Sequence, residues 1–229
     1  MKSRIAYMPD ISKIKLEEFK KELLTGRLLP SRKPLLDDIE WKFAQLKNAG
    51  IDNAARLKEI LRSNPNLKRL AEETGISEGY LILLKRETNN LLPTPIKFSN
   101  VPNISEEIVK QLNALNIVNT ENLFPFVKDP ENRQKFKNLS GLSMDQILWL
   151  TKLVDISRIK WVGPKLARLI LETEYDTVIK LANGDPSEVL KAFNDAKNIH
   201  KTYQGPLGIN DIESWIRQVV VKTPLVIEY

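Results

Sequence analysis

The chain repeats itself at a constant shift of 66 residues, and this repeat constrains the fold more than any other sequence feature. A third, weaker copy follows at a shift of 58, where Leu112 and Ile117 meet Ile170 and Tyr175. Such a period indicates one supersecondary unit that buries its apolar face against neighbouring copies. The positions matched at the first shift are Leu46, Gly50, Ile51, Asn53, Leu57, Leu61 and Gly75 with Leu112, Asn116, Ile117, Asn119, Leu123, Val127 and Gly141.

Each copy is predicted to contain four short helices. Asn53, Asn119 and Thr177 precede the second helix of their copies, where their side chains can cap it. An Asx-Pro pair opens each third helix, since proline suits the first helical position. The β-rich stretches, residues 4–7 and 225–229, are short and terminal. The sequence therefore predicts an all-α fold of about a dozen short helices, arranged as three tandem units in one continuous body.

The predicted division of the chain follows the repeat. Residues 1–33 are predicted to form an N-terminal helix and a basic linker, with Ser12 capping a helix over Lys15–Leu24. Two prolines within the stretch Leu28–Pro34 predict that the linker is extended. The three repeats are expected at residues 34–101, 102–161 and 162–229.

Composition limits the chemistry that the chain can perform. The absence of cysteine excludes disulfides, thiolate metal sites and thiol catalysis, and it fits a reducing compartment. There is one histidine, His200, and no phosphate-binding loop, metal-ligand spacing or nucleophile elbow. We therefore expect a protein that is not an enzyme, with no catalytic residue, metal or cofactor. No apolar run suits a signal peptide or a membrane span, so we also expect a soluble, cytoplasmic protein with no membrane partner.

The stretch 156–171, ISRIKWVGPKLARLIL, is the candidate binding site. It carries four basic residues and no acid, and a helix is predicted to start at Pro164. Backbone N–H groups at a helix start, together with cations, favour phosphate. We expect Gly163 to hold a conformation that is costly for other residues, so that Gly163→Val is destabilising. The candidate nucleic-acid-binding residues are Arg158, Lys160, Trp161, Gly163, Lys165 and Arg168, with Arg32 and Lys33 in support and Arg27 beside them.

The other turns have different interpretations. The equivalent hairpin of the second copy has Glu106 and Glu107 in its first helical turn, which would repel phosphate, and the first copy has no glycine there. We read both as structural. The stretch 70–86 is similar to the helix-turn-helix of bacterial repressors. However, its pattern recurs inside the larger repeat, and packing explains it better.

The candidate hairpin and several stretches of the repeats carry a family resemblance. The turn Trp161-Val162-Gly163-Pro164-Lys165 resembles the hairpin of the helix-hairpin-helix superfamily, with Trp161 in place of the first glycine. From about Leu28 to Tyr229 the chain resembles an uncharacterised bacterial family, a domain of unknown function with helix-hairpin-helix-like repeats. The residues that carry this resemblance include Gly50-Ile51, the stretch 70–77 and Trp215-Ile216. The resemblance implies an all-helical fold with no established activity, and related hairpins bind DNA backbone without reading its sequence.

Two functions follow as expectations. The first is weak, sequence-independent binding of nucleic acid, such as duplex DNA, through the 156–171 hairpin. The alternative is a protein-protein interaction scaffold without a nucleic-acid role, which the degenerate hairpins and the net charge of −3 over residues 171–229 favour.

Overall fold

The computed structural model describes residues 6–26 and 28–229 and is all-α over that part of the chain. No β-strand lies among these residues, which form two compact units. The N-terminal unit is Asp10–Leu92, and the C-terminal unit is Pro93–Tyr229 together with residues 6–9. The α-helices are α1 Leu16–Thr25, α2 Ile39–Asn48, α3 Ala54–Leu61, α4 Asn64–Thr74, α5 Glu78–Asn89, α6 Glu106–Ala114, α7 Thr120–Val127, α8 Pro130–Ser140, α9 Met144–Ile156, α10 Pro164–Leu171, α11 Val178–Asn183, α12 Pro186–His200 and α13 Ile209–Gln218.

The N-terminal unit packs α1–α5 around one apolar core. Phe19 of α1 and Phe43 of α2 are fully buried, with ring centroids 6.2 Å apart. Tyr80 of α5 donates a hydrogen bond to the carbonyl oxygen of Leu35 (3.0 Å). Because Leu35 is also fully buried, the segment before α2 belongs to this core.

The C-terminal unit packs α6–α13 around a second core. Phe136 of α8 and Phe193 of α12 are fully buried in it, as are Ile156 and Ile159 on either side of the end of α9. The candidate hairpin thus leaves the core at Ile159 and returns to it at Val162, which is also buried. The apolar residues hold both ends of the turn, so its middle lies at the surface.

The helix bounds follow the sequence repeat. Adding 66 to the bounds of α3 and α4 gives those of α7 and α8 without change. Left-handed backbone recurs at the same shift, at Gly50 and Asn116 and again at Gly75 and Gly141. The predicted caps are also confirmed, since Asn53, Asn119 and Thr177 each accept a hydrogen bond from the helix that they precede. The division into three tandem repeats stays a prediction. The boundaries of the two compact units lie at Asp10 and Pro93.

Two predictions near the N-terminus were wrong. Ser12 lies inside a short 3₁₀ turn, Ile11–Lys13, and Lys15 takes the cap position of α1. The stretch expected to be an extended linker instead forms a 3₁₀ helix, Pro30–Leu36. The fixed φ of Pro30 suits the first turn of this helix. Pro34 lies inside the helix, next to Leu35, whose burial holds the segment against the core. Arg4 and Ile5 of the first β-rich stretch lie outside the described residues.

Glycine substitutions test the turn after α4. Gly75 has φ +70°, so Gly75→Ala should lower the free energy of unfolding by about 1 kcal/mol. Gly79 lies in the first turn of α5 with open space around an added Cβ, so Gly79→Ala should raise it by about 0.5–1 kcal/mol. Urea unfolding of both variants measures the two changes in the free energy of unfolding. Equal effects of the two changes would contradict the assigned turn.

Candidate nucleic-acid interface

The candidate hairpin joins α9 to α10 through residues 157–163. The N–H of Val162 donates to the carbonyl of Ile159 (3.3 Å), which closes the turn. The indole N–H of Trp215 in α13 donates to the carbonyl of Lys160 (3.4 Å) and holds the turn from the other side. The turn is therefore an ordered part of the C-terminal unit, and the side chains of its middle residues project from a supported backbone.

Trp161, and not Gly163, holds the costly conformation. Gly163 has φ −90° and ψ 175°, an extended conformation open to all residues, and a Cβ added there would meet no atom within 4 Å. The prediction that Gly163 needs a special backbone was therefore wrong. Trp161 has φ +70°, which is rare for a residue with a Cβ, and the residue is 67% exposed. In the helix-hairpin-helix hairpins that this turn resembles, glycine stands at the position that Trp161 occupies here.

The start of α10 is open to an anion. Gly163 occupies the cap position and offers no side chain, and Pro164 has no N–H to satisfy. Among the described residues, no acceptor binds the N–H of Lys165 or Leu166, which lie in the first turn. The side chain of Lys165 is exposed, and the first turn of α10 contains no acid. Positive potential from the helix end and one free lysine therefore coincide at this point.

Arg158 does not contribute to this surface, because its side chain is buried. The guanidinium pairs with Asp155 (3.2 Å) and donates to the carbonyl oxygens of Tyr7 (3.3 Å) and Pro224 (2.7 Å). Its remaining face lies over the ring of Phe124, with 5.9 Å between the guanidinium carbon and the ring centroid. These bonds use three of the five guanidinium N–H donors, and burial keeps the other two from a phosphate at the surface.

The Arg158–Asp155 pair is the centre of a buried polar network that sequence reasoning missed. The second carboxylate oxygen of Asp155 accepts from the N–H of Val178 (3.0 Å) and from the hydroxyl of Tyr229 (3.2 Å). The hydroxyl of Tyr7 forms hydrogen bonds with those of Thr120 and Ser157, both 2.9 Å long. The sequence signal was present as an acid three residues before Arg158 in an otherwise apolar helix end.

Burial dominates the electrostatics of this network. It raises the pKa of the Tyr7 phenol, and burial together with the charge of Asp155 raises the pKa of Tyr229. Burial also lowers the pKa of Arg158 and raises that of Asp155, while the attraction between the two charges acts against both shifts. Because guanidinium keeps its proton in proteins, the pair is best described as an ion pair whose hydrogen bonds compensate its desolvation.

The other two basic residues of the hairpin, Arg168 and Lys160, are less exposed than Lys165. Arg168 forms an ion pair with Glu172, and its guanidinium lies 5.3 Å from the ring centroid of Trp149, so its side chain is mostly covered. Lys160 is half-buried at the base of the turn. The structure therefore exposes Trp161, Gly163 and Lys165 in the turn, keeps Lys160 half-buried beside them, and covers the two arginines.

The supporting basic residues lie in the N-terminal unit. Arg32 donates from Nε to the carboxylate of Glu87 (3.0 Å), and both side chains are mostly buried. Lys33 is exposed. Arg27 lies outside the described residues.

Two further features of the described residues, 6–26 and 28–229, concern metal ions and membranes. No group of three or more His, Cys, Asp or Glu side chains in that part of the chain is placed to hold a metal ion. None of its helices combines the length and the apolar character that a membrane crossing requires.

Comparison with known proteins identifies the family. The family model described as a domain of unknown function, DUF4332, matches residues 102–220, just over half of the chain. The protein belongs to the DUF4332 family. The DUF4332 match covers α6–α13 and therefore the whole candidate hairpin. It confirms the expected membership of an uncharacterised family, and the helix-hairpin-helix character of the repeats stays a prediction. No curated protein and no solved structure matches the chain.

Replacing Trp161 separates backbone strain from side-chain contacts. Trp161→Gly and Trp161→Ala both remove the exposed indole, but only glycine adopts φ +70° without a penalty. Trp161→Gly should therefore be more stable than Trp161→Ala by about 1 kcal/mol in urea unfolding. Gly163→Ala should leave stability within about 0.5 kcal/mol of the parent. If Gly163→Ala lowered the free energy of unfolding more than Trp161→Gly does, the assigned turn geometry would be incorrect.

Proposed function

We propose that this DUF4332 protein is a non-catalytic binding protein whose hairpin contacts the phosphate backbone of nucleic acid weakly and without reading its sequence. The observation that carries the proposal is the combination of an uncapped helix start at Gly163 with exposed Lys165 and exposed Trp161 in one supported turn. Phosphate suits such a helix start because the N–H groups and the lysine both favour negative charge.

The corresponding hairpin of the preceding repeat supports a specific role for this one. There, Ser105 occupies the cap position and Glu106 and Glu107 occupy the first turn of α6. At the shift of 58 residues, Glu107 corresponds to Lys165. The same backbone element therefore presents two acids in one copy and a lysine without acids in the next, which favours anion binding at the latter alone.

The exposed indole of Trp161 supports contact with a base or sugar beside the phosphate. An aromatic side chain next to cations is typical of surfaces that bind single strands without sequence preference, because each base offers a ring face for stacking. The hairpin is thus suited to backbone contact at a duplex and to one stacking contact at a single strand.

The inward position of Arg158 and the partial cover over Arg168 reduce the expected strength of binding. Because Arg158 is buried and Arg168 is mostly covered, about one charged phosphate contact remains, at the exposed Lys165. The logarithm of the association constant for a duplex should then fall with the logarithm of salt concentration at a slope near −1. Four contacts would have given a slope between about −3 and −4.

Charge reversal at Lys165 tests the proposal. Lys165→Glu should weaken binding of a short mixed-sequence duplex by about ten-fold at low salt and make the salt slope shallower by about one unit. Its fold should be retained, since an acid in the first turn suits the helix dipole. Lys110→Glu is the matched control, because Lys110 is an exposed lysine of α6 with the same change in charge.

Fluorescence anisotropy with the duplex and with its single strand measures both quantities. Equal affinity of the Lys165→Glu and Lys110→Glu proteins would contradict the proposal, as would the absence of binding by the parent protein at low salt. Either result would favour the alternative of a protein-interaction scaffold.

A further inference from the structure

A basic groove lies in the N-terminal unit between α3, α5 and the 3₁₀ turn Ile11–Lys13. The cavity is about 440 Å³ in volume, within the range of ligand sites. Its apolar part is formed by Ile11 and Ala55. Its polar residues are Lys58, Glu59, Arg62, Lys85 and Asn89.

The cations of the groove are not neutralised within the unit. Among the described residues, no carboxylate pairs with Lys58 or Arg62, and Glu59 pairs with Arg56 (2.8 Å). Burial alone lowers the pKa of Lys58. Lys85 donates from Nζ to the carbonyl oxygen of Arg62 (2.9 Å) and so stands at the end of α3. Two lysines and an arginine therefore line the groove against one carboxylate, that of Glu59, so the lining carries a net positive charge.

The 66-residue repeat gives this groove a counterpart inside the C-terminal unit, between α7 and α9. There the positions of Arg62 and Asn89 are taken by Lys128 and Asp155. The counterpart is occupied by the protein's own chain. The carbonyl oxygen of Lys128 accepts a hydrogen bond from the N–H of Glu228 (2.8 Å).

Further contacts show how closely the counterpart is filled. The hydroxyl of Tyr229 donates to the carboxylate of Asp155 (3.2 Å). Phe124, which takes the position of Lys58, contacts the ring of Tyr7 with centroids 5.9 Å apart. In the C-terminal unit, then, a non-helical peptide segment lies in the groove and bonds to the end of the second helix of the repeat.

In the N-terminal unit the equivalent carbonyl oxygen, that of Arg62, accepts a hydrogen bond from the side chain of Lys85. No peptide segment of the described residues lies in this groove. We propose that this groove, defined by Lys58, Arg62, Lys85 and Asn89, binds an extended acidic segment of a partner protein. Carboxylates of the segment would pair with Lys58 and Arg62, and an apolar side chain would cover Ile11 and Ala55. A peptide fits better than nucleic acid, because the counterpart groove of the same architecture holds a peptide and because this groove has an apolar floor.

The test uses the full chain and a synthetic peptide, Pro-Leu-Glu-Ile-Glu-Tyr, patterned on residues 224–229 with one added acid. Titration followed by amide NMR shifts should give changes confined to α3, α5 and the turn Ile11–Lys13. The peptide Pro-Leu-Lys-Ile-Lys-Tyr, of opposite charge, should give none.

A charge-reversal pair supplies the control. Arg62→Glu should weaken binding of the acidic peptide by about ten-fold, whereas Arg69→Glu, at an exposed arginine of α4, should leave it within about two-fold. Lys165→Glu should also leave it unchanged, which separates this site from the hairpin. No shifts with the acidic peptide, equal shifts with the basic one, or stronger shifts of the same amides with a single-stranded oligonucleotide would overturn the proposal.

Discussion

The buried ion pair between Arg158 and Asp155 organises the C-terminal unit. Through its hydrogen bonds it joins the end of α9 to the start of α11 at Val178, to the N-terminal segment at Tyr7 and to the C-terminal stretch at Pro224. Desolvating two charges is costly, and the cost is offset only when the remaining donors and acceptors are bonded. Here backbone carbonyls and one N–H provide those bonds, so segments distant in sequence are required to complete the site.

This arrangement also decides what the adjacent hairpin can do. Arg158 lies at the base of the turn but is turned inward, and Arg168 is covered by Glu172 and Trp149. Residues 158–168 therefore carry four basic groups in the sequence, but their surface is far less basic than the sequence indicates. What remains is local: an uncapped helix start, an exposed lysine and an exposed tryptophan held at positive φ. Such a surface supports weak backbone contact, with modest salt dependence.

The sequence predicted the helices well and the candidate site only in part. Helix starts could be predicted because caps such as Asn53 and Asn119 act locally, and the 66-residue shift repeats the bounds of α3 and α4 in α7 and α8. The burial of Arg158 could not be predicted in the same way. Its partner Asp155 lies one residue before the stretch judged free of acids, and Tyr7 and Pro224 are distant in sequence. Gly163 was misjudged for a related reason, since glycine permits positive φ but does not require it.

A double-mutant cycle on the ion pair tests the account most directly. We expect Arg158→Met and Asp155→Asn each to lower the free energy of unfolding by about 3–5 kcal/mol, because each leaves a buried charge without its partner. The double variant should lose clearly less than the sum of the two, and hydrogen exchange should show the segments around Tyr7 and residues 224–229 opening in the single variants. If Arg158→Met changed stability by less than about 1 kcal/mol but abolished nucleic-acid binding, Arg158 would be a surface contact and the account would be wrong.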